Sequence, residues 1–347
     1  LDWPKGKAIR VESAGIAQLT VQVHSGTEWL ALDGGVSVDE QLVTTLSKLL
    51  DWASASKSRF MPLGEGRYLA LTEELRARLD DLAAVGEAPR AGAKGKAGDD
   101  EPGVGNPGEG RWGGTGALRL PAVAAGWLSA TLDGAALSTD GAYRDRVETL
   151  VRAQHWQPRL PGMLQAELRP YQLEGYQWAM RLAEAGLGAV LADDMGLGKT
   201  LQAIAVMLER AAGGAALVVA PTSLIGNWAA ELRRFAPSLT VHVFAEGDRD
   251  ALIEQAGAAE VVLISYQLQL LHSEALIARR WHTLVLDEAQ AIKNAAAKRS
   301  QAAFELQADF RLALSGTPIE NRLAELWAIM RVCNPGLLGT PAQFNAR

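Results

Sequence analysis

Leu191–Thr200, LADDMGLGKT, is an apolar strand that breaks into a glycine loop ending in Lys-Thr, and its residue types and spacing could do chemistry. Gly196 and Gly198 let backbone N–H groups crowd around phosphate oxygens, Lys199 supplies a compact charge, and Thr200 offers a hydroxyl to Mg²⁺. Asp194, Met195 and Leu197 fill out the loop around a nucleotide such as ATP. A helix expected over Leu201–Arg210 aims its positive end at the same place, with Ile204, Ala205 and Leu208 spaced to lie on a sheet. The first glycine of the pattern G-x-x-x-x-G-K-[ST] is replaced by Asp193.

A second chemical signal is Thr283–Gln290, TLVLDEAQ, a strand ending in adjacent carboxylates. This is the Walker B arrangement. A carboxylate at the strand end holds Mg²⁺ through its water shell and the next polarises an attacking water, which makes Asp287 the metal candidate and Glu288 the base candidate. An acid pair at a helix start also suits the helix dipole without any chemistry.

Both signals need a scaffold, and the stretch from Leu164 to Met330 supplies one. Near-continuous apolar runs occur at Ala189–Ala192, Leu217–Ala220, Val241–Ala245, Val261–Ser265, Thr283–Leu286 and Leu312–Leu314, each followed by helical or loop sequence. Apolar runs without alternation suit strands covered on both faces, and right-handed crossovers then wind an α/β doubly wound parallel sheet. Ligands in such sheets gather at the strand C-termini, where the GKT loop and Asp287-Glu288 both fall.

The chain has 48% hydrophobic residues, mean hydropathy of zero and a net charge of −6. No apolar run approaches the roughly 20 residues that a membrane helix needs. A sequence pI near 5.5 gives no global nucleic-acid bias, so any such surface is a local patch. Cys333, alone, cannot form an internal disulfide, and it reads as a small buried apolar residue. The chain opens on Leu1 and ends at Arg347 without an obvious stop to a fold, which is expected of a fragment.

Residues 1–90 form a block of their own, expected to be α+β. Short strands are expected around Ala17–Val23 and Glu28–Leu32, and a hairpin over Phe60–Leu71, where Gly64 and Gly66 sit between apolar residues. Ser37 and Glu40 read as a capping box ahead of Leu42, Leu46 and Leu49, and Thr72 as a cap before Glu73, Glu74, Leu75, Leu79 and Leu82. No catalytic constellation is found there, and His24 has no partner at metal spacing. Residues 91–116 turn to glycine, proline and charge, a composition that cannot offset ordering entropy and reads as a flexible linker. Residues 117–163 read as a mostly helical connector, with a helix over Tyr143–His155 before the Pro158–Pro161 break.

Six blocks in order over residues 164–339 carry a family resemblance: LRPYQLEGYQW at Leu168–Trp178, DDMGLGKT, APTSLIGNW at Ala220–Trp228, SYQ at Ser265–Gln267, DEAQAIKN at Asp287–Asn294, and LSGTPIENRLAELWAI at Leu314–Ile329. Together they resemble the Swi/Snf-type branch of the superfamily-two helicase-like ATPases. An acidic residue commonly stands in that family where Asp193 does. Gln290 departs from the family's commoner histidine, as a variant seen in it. The resemblance implies a RecA-like P-loop NTPase lobe over 164–347, with the second lobe absent from this chain, and poor ATP hydrolysis by this polypeptide alone.

Position by position, the resemblance implies that Gln172 recognises the adenine edge, with Arg169 and Tyr171 shaping that pocket. Gly196, Gly198, Lys199 and Thr200 would hold phosphates and Mg²⁺, Asp287 would bind Mg²⁺, and Glu288 would activate water. Ser315, Gly316 and Thr317, with Gln290, resemble the parts that link hydrolysis to lobe movement. Pro221, Thr222, Ser223, Ser265, Lys293 and Asn294 match places where relatives contact a DNA strand, mostly through phosphates. Without the family, Lys293 reads equally as a solvated charge, and Trp228 and Trp327 read as core aromatics.

The whole protein is then expected to be an ATP-driven motor tracking along double-stranded DNA and remodelling bound proteins. Alternatives are a strand-separating helicase and a nucleotide-responsive binding module. Residues 1–90 faintly resemble a domain that precedes the motor in bacterial members, and the glycine- and alanine-rich composition suits a bacterial source. The expected location is cytoplasmic, at the nucleoid.

Overall fold

A computed structural model describes residues 9–26, 29–39, 41–86, 118–246, 248–317, 323–339 and 344. The proposed linker, 91–116, lies outside them. The chain divides into two compact units, 1–148 and 149–347.

The first unit starts with β1 (Arg10–Ala14), β2 (Leu19–Ser25), β3 (Trp29–Val38) and β4 (Gln41–Thr45), then α1 (Leu46–Ala55), β5 (Phe60–Gly64), β6 (Arg67–Leu71) and α2 (Glu73–Val85). It continues through β7 (Leu118–Pro121), α3 (Ala125–Thr131), β8 (Ala136–Thr139) and the start of α4 (Gly141–His155). β5 and β6 form the expected antiparallel hairpin, with β1 parallel to β6 on its other side. A second sheet runs β4-β3-β2-β8, and β7 also pairs with β3. The Thr72 cap is as expected, its hydroxyl accepting from Leu75 N at 3.2 Å.

Two expectations are corrected here. Ser37 is no helix cap: it lies in β3 and pairs with Leu42 of β4 beside a bulge, Asp39 turns the chain at φ 49°, and Glu40 lies outside the described residues. The helix begins only at Leu46, capped by Thr45. An Asx residue that tolerates the left-handed region favours the turn, and strand pairing satisfies the backbone groups that a helix would otherwise have used. Residues 117–163 are largely helical as expected, through α3 and α4, but β7 and β8 complete the second sheet of this unit, so 118–139 belong with 1–90 and are no separate connector.

The second unit carries the chemistry. After α5 (Pro170–Glu184) come β9 (Ala189–Leu191), α6 (Lys199–Arg210), β10 (Ala216–Ala220), α7 (Ile225–Phe235), β11 (Thr240–Val243), α8 (Arg249–Gln255) and β12 (Glu260–Ser265). The unit goes on through α9 (Tyr266–Leu271), α10 (Ser273–Ala278), β13 (Arg280–Leu286), α11 (Lys298–Phe304), β14 (Gln307–Leu314) and α12 (Leu323–Cys333). The six strands run in the order β11-β12-β10-β13-β14-β9, with every pairing parallel.

Alternation is missing from these strands because both faces are covered. Val218, Leu263, Val285 and Leu312 pack against Tyr176 of α5, Ile204 of α6 and Trp228 of α7. Leu217, Val262, Leu284 and Ala313 pack against Ile253 of α8, Leu276 of α10, Ala303 of α11 and Ile329 of α12. Burying each such aliphatic side chain contributes about 1.5–3 kcal/mol, so the strand ends are held by a two-sided core. Cys333 sits in the second face, buried as expected, and burial pushes its thiol up to about 12.

Candidate functional site

The glycine loop leaves β9 and enters α6, and its geometry follows from two glycines. Gly196 and Gly198 have φ of 82° and 77°, the left-handed region that side chains disfavour. Gly198 is the N-cap of α6, so that helix starts at Lys199, two residues earlier than expected. With no side chain capping it, α6 presents its first N–H groups to the loop. A Cβ on Gly196 would meet nothing within 4 Å, so the loop is open on that side. On Gly198 a Cβ would lie 2.3 Å from Gln172 Nε2.

Side chains then tie the loop down. Lys199 Nζ donates to the carbonyl oxygens of Asp193 at 2.6 Å and Asp194 at 3.0 Å. Gln172 is buried at the start of α5, accepting from Arg169 N at 2.9 Å and donating to Leu197 O at 3.0 Å. It is thus a strut between α5 and the loop. Arg169 is exposed and Tyr171 half-buried beside it. Gln202 of α6, fully buried, donates to Asp193 Oδ2 at 3.3 Å, a contact not anticipated from sequence.

The acid pair follows β13, two places from β9 in the sheet, roughly 10 Å across at ordinary strand spacing. Asp287 is buried, and its polar groups all have partners. Its N–H donates to Val219 O at 2.9 Å, and its carbonyl accepts from Tyr266 Oη at 2.9 Å. Oδ2 accepts from Trp228 Nε1 at 2.8 Å, and Oδ1 from Glu288 N at 2.9 Å. Burial raises the pKa of Asp287; the Trp228 and Glu288 donors oppose this, the Glu288 charge adds to it, and Lys199 opposes it, with the net direction upward.

A nearby divalent cation would reverse that environment. Each carboxylate oxygen accepts one hydrogen bond and keeps a further lone pair, and Mg²⁺ is typically held by one or two carboxylates, waters and substrate phosphates. The carboxylate of Asp287 and the hydroxyl of Thr200, at the start of α6, are oxygen donors of the type such an ion takes. Nucleotide phosphates likewise fit a loop whose open glycine adjoins an uncapped helix start.

Glu288 has φ 48° and ψ 54°, an uncommon conformation for a side-chain-bearing residue. Gln290 Nε2 donates to Glu288 Oε2, and Ser315 Oγ lies 2.9 Å from Gln290 Oε1. Ser315 Oγ also accepts from Thr317 N at 3.1 Å, while Ser315 N donates to Leu191 O at 3.1 Å. The end of β14 is therefore joined to both β9 and the acid pair. Gly316 lies against Met195, where a Cβ would come 2.9 Å from Met195 Cγ.

The expected DNA contacts are placed unevenly. Thr222 and Ser223 are exposed on a turn after β10, with Pro221 half-buried before them. Asn294 is exposed, its Oδ1 accepting from Ala296 N at 3.1 Å. Lys293 Nζ lies 3.7 Å from Glu325 Oε1 of α12. Ser265 departs from the expectation: it is 5% exposed and its hydroxyl caps α9, accepting from Leu268 N at 3.3 Å. It ends a strand buried on both faces, which is why its side chain turns inward.

Trp228 is a core residue as expected, but it also donates to Asp287. A buried indole N–H usually finds a partner, and that rule was the available signal. Tyr266 carries the same signal within SYQ.

A six-stranded parallel sheet with this loop after one strand and an acid pair after another defines a RecA-like P-loop lobe. A profile of the SNF2-related domain matches residues 171–347, and the chain belongs to that Swi/Snf-type ATPase family. YwqA of Bacillus subtilis, named as an ATP-dependent helicase/translocase, is 47% identical over 187 residues, covering 52% of this chain and 20% of that protein. A chromatin-remodeling ATPase of Schizosaccharomyces pombe is 36% identical over 213 residues, covering 57% of this chain and 13% of its own length. The Sulfolobus solfataricus SWI2/SNF2 ATPase core, solved in complex with dsDNA, matches with a TM-score of 0.50 and 41% identity over 55% of this chain and 41% of that one. The chain therefore spans a fifth or less of these two curated relatives.

Proposed function

We propose that residues 164–347 are the ATP-binding lobe of an ATP-dependent double-stranded DNA translocase or remodeller. On this reading they hydrolyse ATP with Mg²⁺ when completed by a second α/β lobe, and the first unit, 1–148, forms an associated domain. The observation that carries the reading is the convergence of Lys199, Asp287 and the Glu288-Gln290-Ser315 chain at the C-terminal edge of one parallel sheet. In this assignment Lys199 and the loop N–H groups hold the phosphates, and Mg²⁺, when bound, draws charge off the phosphoryl oxygens. Asp287 and Thr200 would hold that ion. Glu288 would accept the proton of the attacking water at its carboxylate, and Gln290 orients that carboxylate.

Thr222, Ser223, Lys293 and Asn294 would meet duplex phosphates in a sequence-independent way. Gln172 would act on the nucleotide through the loop it braces, with Arg169 and Tyr171 nearer the base. A duplex motor of bacterial cast would work in the cytoplasm, at the nucleoid.

The test pairs ATP turnover with strand displacement. Turnover stimulated by blunt duplex DNA, without release of a labelled strand, is the expected result for the protein carrying both lobes. Strand release would move it to the helicases, and nucleotide binding with no turnover under any DNA would overturn the motor reading.

A further inference from the structure

Asp287 is gripped by two aromatic donors that grow out of two neighbouring turns. Trp228 lies on the first turn of α7, directly after the turn Thr222–Leu224 that follows β10. Tyr266 is the first residue of α9, directly after Ser265 at the end of β12. Both are buried, at 1% and 3% exposure, so neither is an exposed stacking surface. Trp228 Nε1 fixes the carboxylate at Oδ2, and Tyr266 Oη fixes the main-chain carbonyl of the same residue. Since β10 lies between β12 and β13, these links connect three adjacent strand ends.

α7 also borders an open cavity of about 360 Å³, lined by Thr222, Ile225, Ala229, Val243, Leu263 and Ser265. Ile225, Ala229 and Arg233, spaced by four, line the cavity along one flank of α7, and Ala229 shares the core cluster with the adjoining Trp228 and Leu232. Close-packed interiors do not deform continuously, so an unfilled flank is where a helix can take a second position.

We propose that Trp228 and Tyr266 are positioning residues that couple the exposed turn at Pro221–Leu224 and the start of α9 to the orientation of Asp287. A polynucleotide backbone seated on Thr222 and Ser223 then biases α7, and the indole N–H carries that bias to the carboxylate. This rests on the ATP-binding and duplex-binding reading above, and it adds the route by which one ligand alters the site of the other.

The experiment measures the linkage on the intact 347-residue chain. The affinity of a fluorescent methylanthraniloyl ATP with Mg²⁺ is titrated with and without a blunt duplex of about two helical turns. The expected coupling is about fivefold or more, which falls below about twofold in Trp228→Phe and is reduced in Tyr266→Phe. Both variants keep the ring and remove only the donor. A second readout is independent of metal and nucleotide: the indole ¹⁵N–¹H resonance of Trp228, identified by its absence in Trp228→Phe, should shift when duplex alone is added.

The outcomes separate. A chain that binds neither ligand overturns the proposed function and this inference with it. Binding of both ligands with no coupling, or coupling intact in both variants with an unmoved Trp228 resonance, overturns the inference and leaves the function standing. A variant that does not fold leaves the wild-type resonance to decide, and its failure to move counts against the proposal.

Discussion

Ser315 Oγ lies 2.9 Å from Gln290 Oε1, across 25 positions of sequence, and so joins the end of β14 to the acid pair after β13. Ser315 is 1% exposed, and Gln290 passes the link to Glu288. Replacing Ser315 with alanine leaves a half-buried amide oxygen without that partner, at a cost of about 1–3 kcal/mol. Loop and helix start are untouched, so nucleotide affinity should hold within about threefold while single-turnover hydrolysis drops about tenfold or more, a loss of about 1.4 kcal/mol or more in barrier terms. Unchanged hydrolysis would detach β14 from the chemistry.

The two loop glycines should respond differently to alanine. At Gly198 the new Cβ would come 2.3 Å from Gln172 Nε2, so the strut from Gln172 to Leu197 must give way. At Gly196 the space is open and the cost is the left-handed backbone alone, about 1–2 kcal/mol. Thermal unfolding should therefore show the larger loss for Gly198→Ala, and a calorimetric titration with Mg·ATP should show binding weakened in both. Equal stability for the two variants would mean that Gln172 moves aside freely.

Lys199 already holds the loop through the carbonyls of Asp193 and Asp194. Those bonds would have to be exchanged for phosphate contacts when a nucleotide enters. Lys199→Met removes the charge and keeps the stem, so the expected result is nucleotide affinity down at least about tenfold, with stability changed by only about 1 kcal/mol. Equilibrium binding of a fluorescent ATP analogue checks the first, and urea unfolding the second.

Lys293 is placed to test the duplex contacts. Its partner Glu325 is 3.7 Å away, and the lysine side chain is 38% exposed, so the pair adds under about 1 kcal/mol to folding. Lys293→Ala should weaken duplex binding alike for unrelated sequences and lower the salt slope by about 1. Glu325→Gln removes the competing carboxylate and should strengthen binding. Fluorescence anisotropy across a salt series reads both, and an unaltered slope in Lys293→Ala would remove that residue from the interface.

Much of the second unit was legible in the sequence because its strands are unusual. Runs such as Leu217–Ala220 are apolar at every position, a pattern that comes from helices on both faces, and all six expected strands are present. Thr72 was legible because a capping hydroxyl acts within three residues. Ser37 offered the same local pattern, but pairing with Leu42 and a turn at Asp39 took precedence. The partners of the site residues were the least legible. Trp228 and Asp287 are separated by 59 positions, and Tyr266 and Asp287 by 21, and no periodicity reports a contact that only the order of strand ends creates.

The first unit offers a stability test independent of nucleotide. Asp140 Oδ1 accepts from Tyr143 N at 2.8 Å, capping α4, and Oδ2 accepts from Ser25 N at 2.5 Å at the end of β2. Burial alone would push this carboxyl up, but the two backbone donors, aided by the Ser25 side chain and the His24 charge, hold it below the ordinary carboxylate range. A carboxylate with a lowered pKa stabilises the fold in full above its unfolded value, and that contribution is lost as the pH falls through the folded value. Asp140→Ala should therefore cost about 1 kcal/mol at neutral pH, as cap removal does, and the gap to wild type should close in acid, below the ordinary carboxylate range. Asp140→Asn keeps an accepting oxygen for one donor and should show a smaller neutral-pH loss with the pH dependence removed. Urea unfolding of the three proteins at neutral and acid pH measures this directly, and a gap that persists unchanged into acid would assign the effect of Asp140 to shape, with no role for its charge.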